Sequence, residues 1–409
     1  MQVSLFIARR IIHNQQPSFS RFIIRAAAIA TAISVATMIV TLSMVNGFQH
    51  EVAEKVFSYW GHTRVQNLEP YRTLVAEETP ITQTDSLDKV VKATPGIAHV
   101  HAFGARSIVL RSRVQFEGVL LKGVSGSFVE SPFSRFIRQG SNISFADTSY
   151  SRQVLLSQAM ARRLDVAVGD TLNAFYLRQG EDIRSRSMTV VGLYQTGIEE
   201  YDNQFAIADL RFLQRLNQWD STQIGGYEIW LNKPAMANEW SEALTENLPQ
   251  GIISVPITQV YPNIFDWLGI QDQTKRIVIG VMLAVAIINL VTCLLILVME
   301  RTRMIALLTA MGMTGIEIRK LFWYYAAWIA GVGVLAGLAL GLGVSFLQLL
   351  TGIIKMDEAT YYVDQMPVKI EWWQVLAVAA GSFSVCLLAL RLPLAFIRRI
   401  SIIKAIRFN

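Results

Sequence analysis

Four long blocks without any charged residue divide this chain in an uneven pattern. The first block, Ala26–Val45, has 20 residues. The other three lie near the end of the chain, as Ile277–Val298 with 22 residues, Leu321–Leu350 with 30 and Trp372–Leu390 with 19. A helix needs roughly 20 such residues to cross the apolar layer of a bilayer. The pattern therefore predicts an α-helical membrane protein with four transmembrane helices, one followed by three, and about 230 residues between the first and second.

The long segment between the first two blocks, residues 49–274, mixes strand and helix periodicities. Residues Ser107–Leu121 alternate apolar and polar positions around Arg111–Arg113, which predicts two strands joined by a turn. Predicted strands at Thr171–Tyr176 and Met188–Tyr194 flank a polar, arginine-rich tip. The segment is therefore expected to form a large α+β domain inserted between the first and second helices.

Basic residues flank the apolar blocks in a way that predicts orientation. Residues 1–25, 299–320 and 391–409 are rich in Arg and Lys, whereas 351–371 carries more acidic than basic residues. Because basic loops stay on the cytoplasmic side, both termini and the 299–320 loop are expected in the cytoplasm. The domain at 49–274 and the 351–371 loop are expected outside it. Orientation accounts for the net charge of +6 better than nucleic-acid binding does, so no nucleic-acid partner is predicted.

The chain is thus expected to have four parts. They are an amphipathic cytoplasmic helix at 1–20, the first transmembrane helix at 21–48, the extracytoplasmic α+β domain at 49–274, and three transmembrane helices at 275–409, the last part including a cytoplasmic helix at 299–313 and a basic C-terminal tail. The N-terminal helix is predicted because Val3, Phe6, Ile7 and Ile11 recur at helical spacing beside basic residues.

Motifs for catalysis, nucleotide binding and metal binding are missing from the sequence. There is no G-x-x-x-x-G-K-[ST], H-E-x-x-H or C-x-x-C. His99 and His101 share one face of a predicted strand and could begin a metal site, but solvated histidines are expected because no third ligand is evident. The apolar blocks contain no Asp, Glu, Lys, Arg or His, which argues against ion-coupled transport. We expect a non-catalytic chain with no cofactor or metal of its own, driven by a partner.

Small residues recur at a regular spacing in the third block. Gly333, Gly337 and Gly341 are four residues apart. Glycines at this spacing line one face of a helix and let another helix approach closely. Packing within the chain's own helices is the expected role, and a seam between two subunits is the alternative.

The predicted cytoplasmic segment after the second block reads VMERTRMIALLTAMGM from Val298 to Met313. Its charged residues come first, and an apolar helical run follows and ends at Gly312. A short amphipathic helix of this kind can dock into a groove on a soluble partner, or it can serve only as an interfacial linker.

This segment resembles the coupling helix of ABC permeases that act by mechanotransmission, the MacB/FtsX-like superfamily. The pattern E-x-x-R-x-I-A/G-x-L-x-A-x-G is matched at Glu300, Arg303, Ile305, Ala306, Leu308, Ala310 and Gly312. Further stretches are similar to lipoprotein-releasing permeases of the LolC/LolE type. These are Leu42–Phe48, Gly61-His62, Val190–Gly197, Glu200–Asp202, Met366–Ile370, Pro393 and Ile403–Phe408. The resemblance covers nearly the whole chain.

The resemblance implies a permease of the inner membrane of a diderm bacterium, in contact with membrane lipids. Two permeases, identical or different, would pair with two cytoplasmic ATPases, which bind ATP and Mg. The complex would extract lipoproteins from the membrane and pass them to a periplasmic carrier. Two alternatives remain open, namely a relay to a periplasmic cell-wall hydrolase and the export of peptides or drugs.

The same resemblance implies roles for particular residues. Contacts with the ATPase are expected at Glu300, Arg301, Arg303, Ile305, Leu307, Leu308 and Gly312. Candidates for the substrate chamber are Met38, Leu42, Val45, Phe48, Met282, Val285 and Asn289. Candidates for carrier docking are Arg178, Arg184 and Arg186, at the tip between two strands of the α+β domain.

Overall fold

A computed structural model describes residues 19–68, 79–145, 149–177 and 183–389. The described residues fall into two compact units. The first is drawn from 1–50, 268–355 and 365–409, and the second consists of 51–267 and 356–364. The predicted N-terminal helix at 1–20 and the basic C-terminal tail lie almost wholly outside the described residues.

The described part of the chain contains both long and short helices. In chain order they are α1 (Phe19–Trp60), α2 (Asp85–Ala93), α3 (Gln158–Leu164), α4 (Glu199–Gln204), α5 (Leu210–Asn217), α6 (Ala237–Asn247), α7 (Ile257–Val260), α8 (Pro262–Glu300), α9 (Thr302–Ala310), α10 (Gly315–Thr351), α11 (Glu358–Tyr361) and α12 (Trp372–Ala389). Short 3-10 helices occur at Gly126–Glu130, Pro132–Phe136 and Pro234–Met236.

Four of these helices are long and apolar enough to cross a membrane. They are α1, α8, α10 and α12, and each contains one of the blocks predicted from the sequence, apart from the last residue of the fourth block. The first three extend well beyond their blocks. Helix α1, for example, continues to Trp60, although the apolar block ends at Val45.

Local sequence signals account for where α10 begins and ends. Its N-cap is Thr314, whose hydroxyl accepts from the backbone N–H of Glu317, while the Glu317 carboxylate accepts from the backbone N–H of Thr314. This reciprocal pair satisfies two N–H groups that the first turn leaves free. At the other end Gly352 adopts a left-handed conformation with φ of +58°, which glycine allows at little cost.

The glycines of α10 lie against α1 within the first unit. A Cβ built on Gly337 would be 2.7 Å from the carbonyl oxygen of Ala32 and from Cβ of Val35. The corresponding atoms on Gly333 and Gly341 would be 2.8 Å from Cβ of Thr31 and 3.0 Å from Cβ of Ile39. The glycine stripe therefore permits a close approach between two helices of the same chain.

The second unit contains a mixed sheet. Its strands are β1 (Thr63–Asn67), β3 (Ile97–Arg111), β4 (Phe116–Val124), β5 (Ile137–Gly140), β6 (Gln153–Ser157), β7 (Thr171–Leu177), β8 (Ile183–Tyr194), β9 (Phe205–Asp209), β11 (Gly226–Leu231) and β12 (Ile252–Pro256). The spatial order is β12-β1-β11-β3-β4-β9-β6-β8-β5, and β7 pairs with both β3 and β8. A separate two-stranded sheet joins β2 (Ile81–Thr82) to β10 (Gln223–Ile224).

The strand predictions within this unit are confirmed in outline. Strands β3 and β4 form the predicted antiparallel hairpin, with the turn just after Arg111. Strands β7 and β8 form the second predicted hairpin, although β8 begins at Ile183 rather than near Met188. The pairs β4–β9 and β6–β8 are parallel, and the other strand pairs of the main sheet within the described residues are antiparallel.

The segment Met356–Asp364, between α10 and α12, belongs to the second unit although it is distant from it in sequence. The backbone N–H of Met356 donates to the carbonyl oxygen of Asp364 at 3.0 Å, which closes the segment into a compact loop. Val363 is 2% exposed. The sequence predicts that these residues lie in a loop of the part at 275–409, on the same side of the membrane as the inserted domain. Their packing within the second unit, called the α/β unit below, is not predicted by local sequence.

Candidate functional site

The predicted coupling segment forms α9 together with the residues on either side of it. Glu300 is the last residue of α8, Arg301 is the N-cap of α9, and Arg303 lies in its first turn. Both Glu300 and Arg303 are exposed. Gly312 follows α9 with φ of +93°, a conformation that few side chains tolerate. Polar groups therefore gather at the start of α9, and a glycine turn follows its end.

The apolar residues of α9 divide between the core and the surface. Ile305 is 5% exposed and packs in a core with residues such as Leu297 and Phe322, so its side chain is not available to fill a groove on a partner. Leu307 is 64% exposed and Met311, just after the helix, is 73% exposed. Leu308 is half-buried. The exposed apolar surface is thus formed by Leu307 and Met311 rather than by Ile305.

The chamber candidates on α1 and α8 differ in accessibility. Met38 and Phe48 are buried. Met38 packs in a cluster with Val35, Ile39, Val334 and Val375, against which Met282 also lies. Val285 is 40% exposed, while Leu42, Val45, Met282 and Asn289 are half-buried. Two of the candidates are therefore enclosed by the chain's own residues, and Val285 is the most accessible.

Two of the three carrier-docking candidates lie on β8, in the hairpin that it forms with β7. Arg184 pairs with Tyr176 and Arg186 with Ala174, and both arginines are exposed. Arg178, the remaining candidate, lies outside the described residues. Because residues two apart on a strand point to the same face of the sheet, Arg184 and Arg186 stand on the same side of the hairpin.

Beside this hairpin the sheet carries an open apolar groove of about 640 Å³. Val109, Leu120, Phe175 and Ile183 are among its lining residues. Gly118 also lines it, and a Cβ built on Gly118 would meet no atom within 4 Å. The groove is open, and its lining includes Ile183 on β8, the strand that also carries Arg184 and Arg186.

A buried cluster of charged residues surrounds the end of α1. The carboxylate of Glu228 lies 2.9 Å from Nζ of Lys122 and 3.5 Å from a guanidinium nitrogen of Arg64. All three side chains are 2% exposed or less. The Lys122 ammonium also donates to the carbonyl oxygen of Tyr59 at 2.8 Å, near the C-terminal end of the helix. A cation at this position is favourable because the last carbonyl groups of a helix carry partial negative charge.

The same cluster includes His101, one of the two histidines of β3. His101 is 2% exposed, and its Nε2 lies 2.9 Å from Oε2 of Glu228, so the expectation that it is solvated is wrong. Burial lowers the pKa of His101, although the hydrogen bond to Glu228 opposes this effect. Burial alone would raise the pKa of Glu228, but Lys122, His101 and Arg64 together hold it at about 2. His99 is half-buried. Among the described residues, no group of three His, Cys, Asp or Glu side chains could hold a metal ion.

Sequence reasoning missed this cluster because each member looks like an ordinary surface residue of a strand. Arg64, Lys122 and Glu228 lie on β1, β4 and β11, which are remote from one another in sequence. A signal was present in β11, where Glu228 stands alone in an otherwise uncharged strand. The charges of the cluster are paired with one another, and Lys122 also contacts the last turn of α1. The cluster therefore has a structural role, which is to fix the end of α1 to the sheet.

Comparison with known proteins gives matches along nearly the whole chain. The family described as MacB-like periplasmic core domain matches residues 26–247, more than half of the chain, and the FtsX-like permease C-terminal family matches residues 276–402. LolE, a transmembrane protein of the lipoprotein-releasing system of Haemophilus influenzae, is 23% identical and covers 96% of each chain. LolC of Neisseria meningitidis serogroup B is 24% identical over 93% of this chain and 92% of its own. LolC of Haemophilus influenzae is 24% identical over 100% of this chain and 99% of its own.

The residue ranges of both family matches agree with the elements of the structure. The first covers most of α1 and most of the α/β unit, and the second covers the remaining long helices together with α9. The four candidate spans fit a multi-pass protein of the inner membrane. The chain therefore belongs to the family of permeases that have a MacB-like periplasmic core domain and an FtsX-like C-terminal region, and it is similar to LolC and LolE over nearly its whole length.

Proposed function

We propose that this chain is the permease subunit of an ABC transporter that releases acylated lipoproteins from the inner membrane to a periplasmic carrier. The observation that carries the proposal is the similarity to both LolC and LolE, which extends over nearly the whole length and so includes the α/β unit as well as the long helices. ATP hydrolysis would take place in a separate cytoplasmic ATPase that binds ATP and Mg. A second permease subunit would complete the membrane part.

The proposed topology follows the distribution of charge. The α/β domain is inserted between the first and second spans on the periplasmic side, three spans follow, and both termini lie in the cytoplasm. Reporter fusions after Asp357 should therefore be periplasmic, and fusions after Thr309 should be cytoplasmic. A periplasmic reporter at Thr309 would contradict both the topology and the assignment of α9 to ATPase binding.

Energy from a partner is needed because burial in the membrane strongly stabilises the acyl chains of a lipoprotein anchor. An acyl chain is stabilised by about 0.8 kcal/mol for each buried methylene group. Removing an anchor with several long chains therefore costs tens of kcal/mol unless the chains enter another apolar environment. We infer that the permease provides such an environment at each step and that ATP hydrolysis drives the transfer.

The ATPase contact is assigned to α9 and the residues around it. Glu300, Arg301 and Arg303 would orient the partner through polar contacts, and Gly312 would allow the turn that presents the helix. Leu307 and Met311 would fill the apolar groove of the partner, since they are exposed, with the half-buried Leu308 beside them. An amphipathic helix in an apolar groove is a recurrent mode of recognition.

The substrate chamber is assigned to the accessible residues of α1 and α8, namely Val285 with Leu42, Val45, Met282 and Asn289. Met38 and Phe48 would support this surface from within rather than touch substrate, because they are buried. A photo-crosslinker at Val285 should capture lipoprotein, whereas one at Met38 should capture neighbouring helices of the same chain. Equal capture of lipoprotein at both positions would contradict this division.

Carrier docking is assigned to the β7–β8 hairpin. Arg184 and Arg186 give this surface a basic edge, to which an acidic rim on the carrier would be attracted. The apolar groove beside the hairpin would add a contact that does not depend on charge. Arg178, the third candidate from the sequence, lies outside the described residues.

The test of the function is release of a labelled lipoprotein from liposomes that contain this permease, its second permease and its ATPase. Release into the soluble phase should require both ATP and the carrier. The control is a vesicle in which Leu307→Asp replaces the native permease, which should retain the lipoprotein. Release without ATP, or retention under all conditions alongside transport of a peptide or drug, would contradict the proposal.

A further inference from the structure

The side chain of Lys55 lies where three segments of the α/β unit meet. Lys55 is on α1, and its ammonium donates to the carbonyl oxygen of Tyr362 at 2.6 Å. It also lies 3.7 Å from a carboxylate oxygen of Glu358, and its side chain is 13% exposed. Both partners belong to the loop Met356–Asp364, which connects the third and fourth candidate spans. One ammonium group thus links the helix of the first candidate span to that loop.

The third segment is the turn that follows β8. The side-chain amide of Gln195 donates to Oε2 of Glu358 at 2.9 Å. Gly197, with φ of +77°, lies so close that an added Cβ would be 2.6 Å from Nζ of Lys55 and would also clash with the Glu358 carboxylate. The absence of a side chain at Gly197 is therefore a condition for the ion pair to sit over this turn.

The turn itself is held by Asp202. Its carboxylate accepts from the backbone N–H of Thr196 at 3.0 Å, from the Thr196 hydroxyl at 2.9 Å and from the backbone N–H of Gly197 at 3.2 Å. On the loop side, the hydroxyl of Tyr362 donates to Glu200 at 3.4 Å. The turn and its supports thus coincide with two of the stretches that resemble LolC/LolE-type permeases, around Gly197 and Asp202, to which the resemblance assigned no role.

We propose that Lys55 is a positioning residue that makes the turn Gln195–Gly197 of the α/β unit follow the movements of the first candidate span and of the loop between the third and fourth. Lys55 is on helix α1, so a displacement of the end of that helix is carried to Glu358, Tyr362 and the turn through one half-buried cation. This inference rests on the proposed function, because it describes how ATP-driven movement of the spans reaches the domain that hands over the lipoprotein.

The experiment compares the full chain with Lys55→Met, Lys55→Arg and Glu358→Gln, in liposomes containing the complete complex. The control is Lys355→Met, which removes an exposed lysine close to the loop in sequence. Lys55→Met and Glu358→Gln should lower the amount of lipoprotein released per ATP hydrolysed by about tenfold, the size of a typical coupling between sites. ATP hydrolysis and membrane insertion should persist, and Lys55→Arg should retain most of the coupling because it keeps the charge.

A second readout keeps this inference separate from the proposed function. Amide hydrogen exchange of residues 195–198 and 356–364 is measured with and without ATP, whatever substrate the complex transports. In the native chain ATP should change exchange in both segments, and in Lys55→Met it should change neither. Lack of lipoprotein release by the native complex would contradict the proposed function alone. An unchanged ATP response in Lys55→Met and Glu358→Gln, or unchanged release per ATP, would overturn the role of Lys55.

Discussion

Nζ of Lys122 lies 2.9 Å from Oε2 of Glu228, and both side chains are 1% exposed or less. This ion pair stands beside the last turn of α1, where Lys122 also lies 4.1 Å from the centre of the Trp60 ring. Burying two charges carries a large desolvation cost, which their mutual attraction offsets only when the geometry is good. The pair is therefore best understood as an interaction that fixes the end of α1 on the sheet.

Removal of the negative charge should be strongly destabilising. Glu228→Gln removes the carboxylate that faces the buried Lys122 and Arg64, so we expect a loss of about 3–5 kcal/mol in the free energy of unfolding. Denaturant unfolding of the full chain in detergent, followed by tryptophan fluorescence, measures this loss. Glu242→Gln, at an exposed position on α6, is the control and should change stability by less than about 0.5 kcal/mol. Equal stability of the two variants would contradict the structural role of the pair.

Acid should destabilise the α/β unit through His62. Its Nδ1 accepts from the backbone N–H of Leu231 at 2.8 Å, and burial lowers its pKa to about 4. Between pH 6.5 and 4 the unfolded chain binds a proton that the folded chain does not, so stability falls as the pH is lowered through this window. The loss from His62 alone should be roughly 2–3 kcal/mol.

This pH dependence is measured as the midpoint of thermal unfolding between pH 7 and 4. His62→Asn retains a side-chain oxygen that can accept from Leu231 but cannot take up the proton, so its midpoint should depend less on pH. A native and a variant curve with the same slope would show that His62 does not cause the effect.

The glycines of α10 should differ in their tolerance of alanine. At Gly337 an added Cβ would crowd Ala32 and Val35 on α1, whereas at Gly343 it would meet no atom within 4 Å. Gly337→Ala should therefore cost about 1–3 kcal/mol of stability. Gly343→Ala, the matched control on the same helix, should be neutral or stabilising by about 0.5–1 kcal/mol, because alanine favours the helix. Thermal unfolding in detergent distinguishes the two, and equal effects would contradict the close packing.

The exposed apolar side chain of Leu307 should be required for binding the ATPase. Leu307→Asp would place a carboxylate in the partner's apolar groove, where it would be costly to bury without a hydrogen bond. We expect at least a tenfold loss in affinity, equivalent to about 1.4 kcal/mol, with normal insertion into the membrane. Co-purification of the ATPase measures this loss. Leu307→Met is the control, and full retention of the ATPase by Leu307→Asp would remove α9 from the proposed contact.

The basic edge of the β7–β8 hairpin should accelerate carrier binding. Reversing the charge of Arg184 and Arg186 should lower the association rate and make it less dependent on salt, while the dissociation rate changes little. Surface plasmon resonance at low and moderate salt measures both rates. Arg135→Glu, at an exposed position elsewhere in the domain, is the control. Unchanged association of the double variant at low salt would exclude this edge as the docking surface.

The sequence by itself determined the features that depend on composition and short-range periodicity. Blocks such as Ala26–Val45 predict spans because a bilayer requires about 20 apolar residues in one helix, and no distant residue is needed for this inference. The β3–β4 hairpin followed from alternation around a polar turn. The family resemblance came from local motifs such as the run from Glu300 to Gly312.

Only the tertiary structure decided which residues meet across long separations. Ile305 and Leu307 are similar in sequence terms, yet one is in the core and the other on the surface, because the helix face that packs depends on its neighbours. Glu228 and Lys55 look like ordinary surface charges until residues far along the chain surround them. Each of these side chains is covered by segments that are far apart in the sequence and meet only on folding. No local pattern in the sequence therefore predicts that it is covered.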